Sequence, residues 1–437
     1  MPGVPRLSLV EGSFEELSSE LATYLDTIKG EGSAVAADVT PLLADSENTD
    51  EPQQTNKDAV LKKLVTASSV LNSAPERELQ AAYHLLIHLI SQSEDPDTYL
   101  PPVCKNLTSP ITSSPHNGAG IALGILGTLF NTIQPDDETR YHILLAIVEV
   151  IQSTGNFETL QPQLRNLDNW VQQWELEPSQ SRKLYLAISD AAAAAKEPSE
   201  GYTYLLKALR TVQDSPSSPE ARDISLRALK AALQDEKHFD FQDLTTLDSI
   251  QALRKSDTTW SELLELFSSE NFDELQEFEE GNPSFLSDNQ LDEEILARKM
   301  RLLTLASLAA HESQTRTLPY ARIAKALNVP SEDVEMWVID SIRSGLVEGK
   351  LSQQRQEFLI HRSTYRTFGD HQWREVASRL ETWKSSLVNV LAVIRAQKEE
   401  FVREKEAELA GTDVRNGQGY RPDRRQRNAA PMAIEVE

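Results

Sequence analysis

The chain has 437 residues, 39% of them apolar, enough to bury the cores of two or three ordinary domains, which excludes disorder throughout. Its 43 Lys+Arg against 68 Asp+Glu leave a formal charge of −25, a field that repels nucleic-acid phosphate except where a local basic patch reverses it. A single cysteine, Cys104, excludes an intrachain disulfide and a Cys-rich zinc site and fits a reducing compartment.

The opening Met1-Pro2-Gly3-Val4-Pro5-Arg6 lacks the charged start and apolar core of a signal peptide, and no 18-residue apolar run occurs. The expectation is a soluble cytoplasmic protein with no membrane segment. An amphipathic helix is predicted over 14–28, followed by a flexible linker over 30–55, rich in Gly, Ser, Asp and Glu. Residues 1–55 are read as this helix plus linker.

Over 56–238 apolar residues recur at spacings of three and four, with short Pro, Gly, Ser or Asn breaks. The pattern predicts stacked helices at 57–71, 76–90, 118–129, 138–152, 157–174, 179–195, 201–212 and 219–234. No strict repeat is visible, so alternation and length alone suggest a degenerate helical-repeat array, and a compact irregular bundle would read the same way. Shorter helices follow at 247–253, 260–267 and 272–278, each preceded by Ser, Thr, Asp or Asn able to cap it.

A region over 239–375 ends in a unit spanning about 296–368: helix 296–311, short helix 320–327, and a third helix opened by Ser331 with apolar face Val334, Trp337, Val338, Ser341 and Ile342. Gly345 stands where a left-handed residue ends that helix. Two apolar runs follow, 346–351 and 357–361. Three helices and a two-stranded ribbon describe a winged helix. Over 376–409 the residues Val376, Leu380, Trp383, Leu387, Val390 and Ile394 alternate spacings of four and three, and Phe401 resumes the series. Val388 and Leu391 widen the stripe. A narrow seam of nearly four heptads outside the winged helix is built to dock against other helices. The tail, 410–437, is polar, carries Arg415, Arg421, Arg424, Arg425 and Arg427, and is expected to be disordered. The fold class is therefore mainly α.

Helical repeats running into a winged helix resemble the PCI-domain family, shared by the proteasome lid, the COP9 signalosome and eukaryotic translation initiation factor 3. The residues Gly349-Lys350-Leu351-Ser352-Gln353 at the wing, Arg366-Thr367-Phe368-Gly369, Gln372-Trp373 and Trp383-Lys384 are similar to the initiation factor 3 branch in a fungal-like version. Ser352 stands where that branch usually has Asp. The resemblance implies a non-catalytic scaffold that supports assembly of the preinitiation complex on the small ribosomal subunit. Its implied partners are the PCI and MPN subunits of the factor. A signalosome or lid subunit is the alternative. It also implies partner-binding residues Leu346, Val347, Lys350, Leu351, Phe358 and Ile360 at the wing, beside the helical seam.

His84 and His88 lie four apart on one helix, a zinc-compatible spacing, but with no third ligand and no Glu between them no metal is expected. Gly118-Ala119-Gly120-Ile121-Ala122-Leu123-Gly124 faintly resembles a dinucleotide loop. It follows no strand, so Gly120 and Gly124 are read as helix-packing residues and no cofactor is expected. Phosphate-loop, nucleophile-elbow and paired-acid motifs are missing, which leaves nothing to carry catalysis. The third helix of the wing carries Glu332, Asp333, Glu335 and Asp340 against Arg343, the wrong sign for a DNA groove, so the wing is read as a protein-docking surface. The Arg-rich tail stays open between a weak RNA-contacting arm, a solvating end and a nuclear import signal.

Overall fold

Ser13 opens the first helix, Phe14–Lys29, with a reciprocal capping box: its hydroxyl accepts the Glu16 N–H while the Glu16 carboxylate accepts its own N–H. That order at the N-terminus sets the start of a long helical array in the computed structural model, which describes residues 12–30, 35–44, 53–93, 95–114, 116–213, 215–312, 315–366 and 369–412. The chain divides into two units, a body up to Thr367 and the segment from Phe368 onward.

Within the body, helices Glu76–Ile90 and Pro219–Gln234 have the boundaries the periodicity predicts, and Thr139–Thr154, Pro178–Ala194 and Pro198–Arg210 lie within a few residues of theirs. Three departures have physical causes. The expected linker contains a helix, Val35–Ala44, with Val39 buried and the Asp26 carboxylate accepting the N–H groups of Val35 and Ala36. A helix at Pro96–Thr108 was not expected, because Pro101 and Pro102 each remove a backbone donor. Burial of Leu100, Val103, Cys104 and Leu107 outweighs those two lost bonds. The single helix predicted over 157–174 is instead a 3-10 turn, Phe157–Thr159, and two short helices, Gln161–Leu164 and Leu167–Gln173, restarting at Pro162 and after Asn166.

The expected side-chain caps also fail in part. Helices Asp248–Ser256, Thr258–Ser269 and Phe272–Gly281 have none. Asp257 has another partner, its carboxylate holding the Arg222 guanidinium at 2.7 Å through two bonds. Asp292 does cap Glu293–His311.

The apolar residues fall into three clusters. One gathers Phe14 to Val150, one Tyr141 to Leu303, and the third Leu302 to Ile360. Two helices are shared between clusters and are apolar on both sides for that reason. Thr139–Thr154 gives Ile143, Ala146 and Val150 to the first core and Tyr141, Leu144, Val148 and Ile151 to the second. Glu293–His311 gives Leu296, Met300 and Leu303 to the second and Leu302, Leu305, Ala306 and Ala309 to the third.

The third core is a winged helix: Glu293–His311, β1 (Thr317–Pro319), Tyr320–Leu327, Val334–Arg343, β2 (Val347–Ser352) and β3 (Glu357–Ser363). The sheet is antiparallel in the order β1-β3-β2, with Thr317 opposite Leu359 and Lys350 also opposite Leu359. It has one strand more than the expected ribbon, because Thr317-Leu318-Pro319 pairs with β3. Ser331 caps nothing; a turn precedes the third helix, which begins at Val334. Gly345 has φ +73°, the left-handed stop its position predicts.

Candidate protein-docking surfaces

The winged helix is tied back to the helical array at two points by cations at helix C-termini, where several carbonyls have no intrahelical donor. Lys299, 2% exposed, donates from Nζ to the carbonyls of Ala232, Leu233 and Asp235 at 2.6, 3.3 and 2.7 Å, closing the helix Pro219–Gln234. Burial draws its pKa down to about 7, with Asp235 opposing. Arg366 does the same for Thr258–Ser269, donating to the carbonyls of Leu266, Phe267 and Glu270 at 3.1, 2.6 and 2.5 Å. Its burial lowers its pKa to about 10, so it remains a cation. The chain thus leaves the last strand of the wing fastened to the array.

The wing itself is set by Gly349. A Cβ there would lie 2.2 Å from the Leu359 carbonyl and 2.6 Å from the Phe358 ring, at a register shift between Glu348 and Gly349. The close approach packs Phe358 into the core beneath β2.

Most of the expected wing residues pack inside the winged helix itself. Leu346, Val347, Phe358 and Ile360 are all buried in the winged helix's own core, and Leu351 is half-buried against it. Their apolar character serves folding. Only Lys350 is exposed. What the wing offers a partner is the polar outer side of β2, which pairs on one side only among the described residues, and the Glu348–Arg362 ion pair at 3.2 Å.

The third helix presents Met336 and Ile339, both exposed, among acids already engaged. Glu335 accepts from Gln353 and Tyr320, and Asp340 pairs with Arg298 at 3.1 Å and Arg343 at 3.7 Å. An acidic, apolar face of this kind suits a protein and repels a phosphate backbone.

Among its described residues the second unit holds one helix, Asp370–Thr412. Val376 is half-buried, while Leu380, Trp383, Leu387, Val390, Ile394 and Phe401 are exposed, Trp383 at 64% and Leu387 at 48%. At about 100° per residue these positions share an arc of roughly 80°. The seam is not narrow along its whole length. Val393, absent from the heptad reading, is 63% exposed, and with Val388 it widens the arc over 387–394 to roughly 220°. Trp373 and Val402 add exposed apolar surface near the ends. A heptad count discards such residues because they fall off the stripe; reading the helix turn by turn finds them.

Among the other sequence features, His88 faces a Gln92 amide at 3.0 Å and the His84 Nε2 is buried without a partner. Among the described residues no group of three or more His, Cys, Asp or Glu could hold a metal. Gly118–Thr132 is a helix entered from a turn, but a Cβ at Gly120 or Gly124 would meet nothing within 4 Å, so neither serves close packing. Gly118 does, with Ile111 Cβ 2.9 Å away. The Gly3-Val4-Pro5 opening and the Arg-rich tail lie outside the described residues, and no helix among those described is long and apolar enough to cross a membrane.

Comparison with known proteins agrees with this anatomy. The PCI domain matches residues 275–362, and the family described as eIF3 subunit M, C-terminal helix, matches residues 366–394. Eukaryotic translation initiation factor 3 subunit M of Phaeosphaeria nodorum is 56% identical over 94% of this chain and 94% of its own length. The proteins of the same name from Aspergillus oryzae and Aspergillus fumigatus are 50% and 48% identical, over 92% and 97% of this chain and 90% and 92% of theirs.

Proposed function

The chain belongs to the eukaryotic translation initiation factor 3 subunit M family, PCI-domain subunits of the initiation factor 3 complex, and from that premise we propose how it holds its neighbours. It acts as a non-catalytic cytoplasmic scaffold that joins other PCI and MPN subunits and supports the preinitiation complex on the small ribosomal subunit through protein contacts. The observation that carries this reading is the exposed apolar stripe of Asp370–Thr412, in the stretch where the subunit M helix family matches. Over 387–394 the stripe is too wide for one neighbouring helix, so the middle of this helix sits inside a bundle and contacts at least two others. Its ends face one.

The wing adds a second contact through the outer side of β2 around Lys350, where a neighbouring strand can extend the sheet. Ribosomal contact is made through the complex, with the Arg-rich tail as a weak RNA arm. The test is affinity purification of the tagged chain from its own cells followed by mass spectrometry. Recovery of PCI and MPN subunits of initiation factor 3 is expected. Recovery of signalosome or lid subunits instead, or of no subunits, overturns the reading.

A further inference from the structure

Three consecutive helices, Pro178–Ala194, Pro198–Arg210 and Pro219–Gln234, enclose an open groove of about 360 Å³ on the body. Its buried lining is apolar, with Gly201, Tyr202 and Leu205, and its rim carries Lys196, Arg227 and Lys230. In a chain of net charge −25, two of these cations, Lys196 and Lys230, stand in the groove without an acid partner among the described residues.

The nearby acids leave these two lysines unpaired. Asp235 turns inward, accepting from the Ser199 hydroxyl at 3.1 Å and the Lys237 N–H at 3.0 Å, and Asp190 is engaged by Arg227 in a close ion pair. Lys196 and Lys230 make no ion pair or side-chain hydrogen bond among the described residues. Lysines on a flat helical surface would simply be solvated. Here they flank a concavity with an apolar floor, the arrangement that recognises a charged segment carrying one buried side chain.

We propose that this groove binds a short acidic segment of a partner protein, in which one apolar side chain is flanked by Asp or Glu. The apolar residue enters between Ala193, Pro198 and Ala231 to reach Tyr202 and Leu205, and the flanking carboxylates meet Lys196 and Lys230. A nucleic acid fits less well, because its backbone would run on from this small basic rim into the acidic field of the remaining body.

Fluorescence anisotropy on the full chain tests this with a labelled peptide bearing one leucine among four glutamates. Saturable binding is expected, weakened about tenfold in the double variant Lys196→Glu, Lys230→Glu, weakened again when serine replaces the leucine, and unchanged in a control reversal Lys62→Glu, Lys105→Glu. All four lysines lie at the surface without structural partners in the core, and an unchanged circular dichroism spectrum verifies that the variants fold. The proposal is overturned by lack of saturable binding, by equal losses in the control reversal, or by hexauridylate binding the groove more tightly than the peptide. None of these outcomes depends on recovery of initiation factor 3 subunits.

Discussion

In the body only Met336 and Ile339 stand exposed among the large apolar side chains described, whereas the helix Asp370–Thr412 exposes eleven of them, from Trp373 to Val402. The two regions use the same residue types for opposite ends. Body helices bury their stripes on chain neighbours, and cations such as Lys299 and Arg366 close their ends. The C-terminal helix leaves its stripe exposed. Folding energy and assembly energy are thus carried by different stretches of one chain, and each can be disturbed without the other.

The sharpest division of the two is Leu387→Asp with Ile394→Asp. Incorporation into the complex should fall at least a hundredfold in quantitative pull-down, because two charges would enter an apolar bundle. The isolated chain should unfold within about 0.5 kcal/mol of the wild type, since both positions are exposed. A large loss of stability in the isolated chain would erase the distinction drawn here.

The converse disturbance is Gly349→Ala. The added methyl collides with the Leu359 carbonyl and the Phe358 ring, and denaturant unfolding should show a loss of about 3 kcal/mol or more, centred on the wing. Arg366→Met keeps the bulk but removes the donors to three carbonyls; a loss of roughly 2 kcal/mol is expected in the same measurement. The smallest effect belongs to His238, half-buried against Tyr202 with ring centroids 4.4 Å apart. Burial, reinforced by the Lys299 charge, lowers its pKa below 6.5 in the folded body. Below pH 6.5 the unfolded chain therefore takes up a proton that the folded one refuses, and stability falls with pH through that window. His238→Phe should flatten this part of the acid limb, read as melting temperature against pH from about 7 to 5, by a degree or two.

Much of this division is legible in the sequence. Periodicity of 3.6 finds most of the body helices, and the four-three alternation finds the exposed helix, because both patterns are local. Burial is not local. Leu346, Val347, Phe358 and Ile360 read as a sticky ribbon, and only the third core shows that they point inward. The helix with Pro101 and Pro102 is hidden for the same reason, since a proline forecasts a break unless packing on both sides is known. Gly349 could be noted as a motif residue, but the contact that forbids a side chain lies across the strand. Lys299 is indistinguishable in the sequence from its neighbours Arg298 and Arg301, and Arg366 could be noted only as a motif residue, since the carbonyls each one meets lie far away along the chain.

The helix Glu293–His311 has a practical consequence for anyone dividing the protein. It belongs to two cores at once, so no cut beside it leaves both closed. A fragment with the bounds of the PCI match, 275–362, keeps the wing intact but strips the cover from Leu296, Met300 and Leu303 and discards Arg366. Such a fragment should aggregate on expression, whereas one extended to Arg366 with polar replacements at Leu296, Met300 and Leu303 should remain in solution as a folded piece.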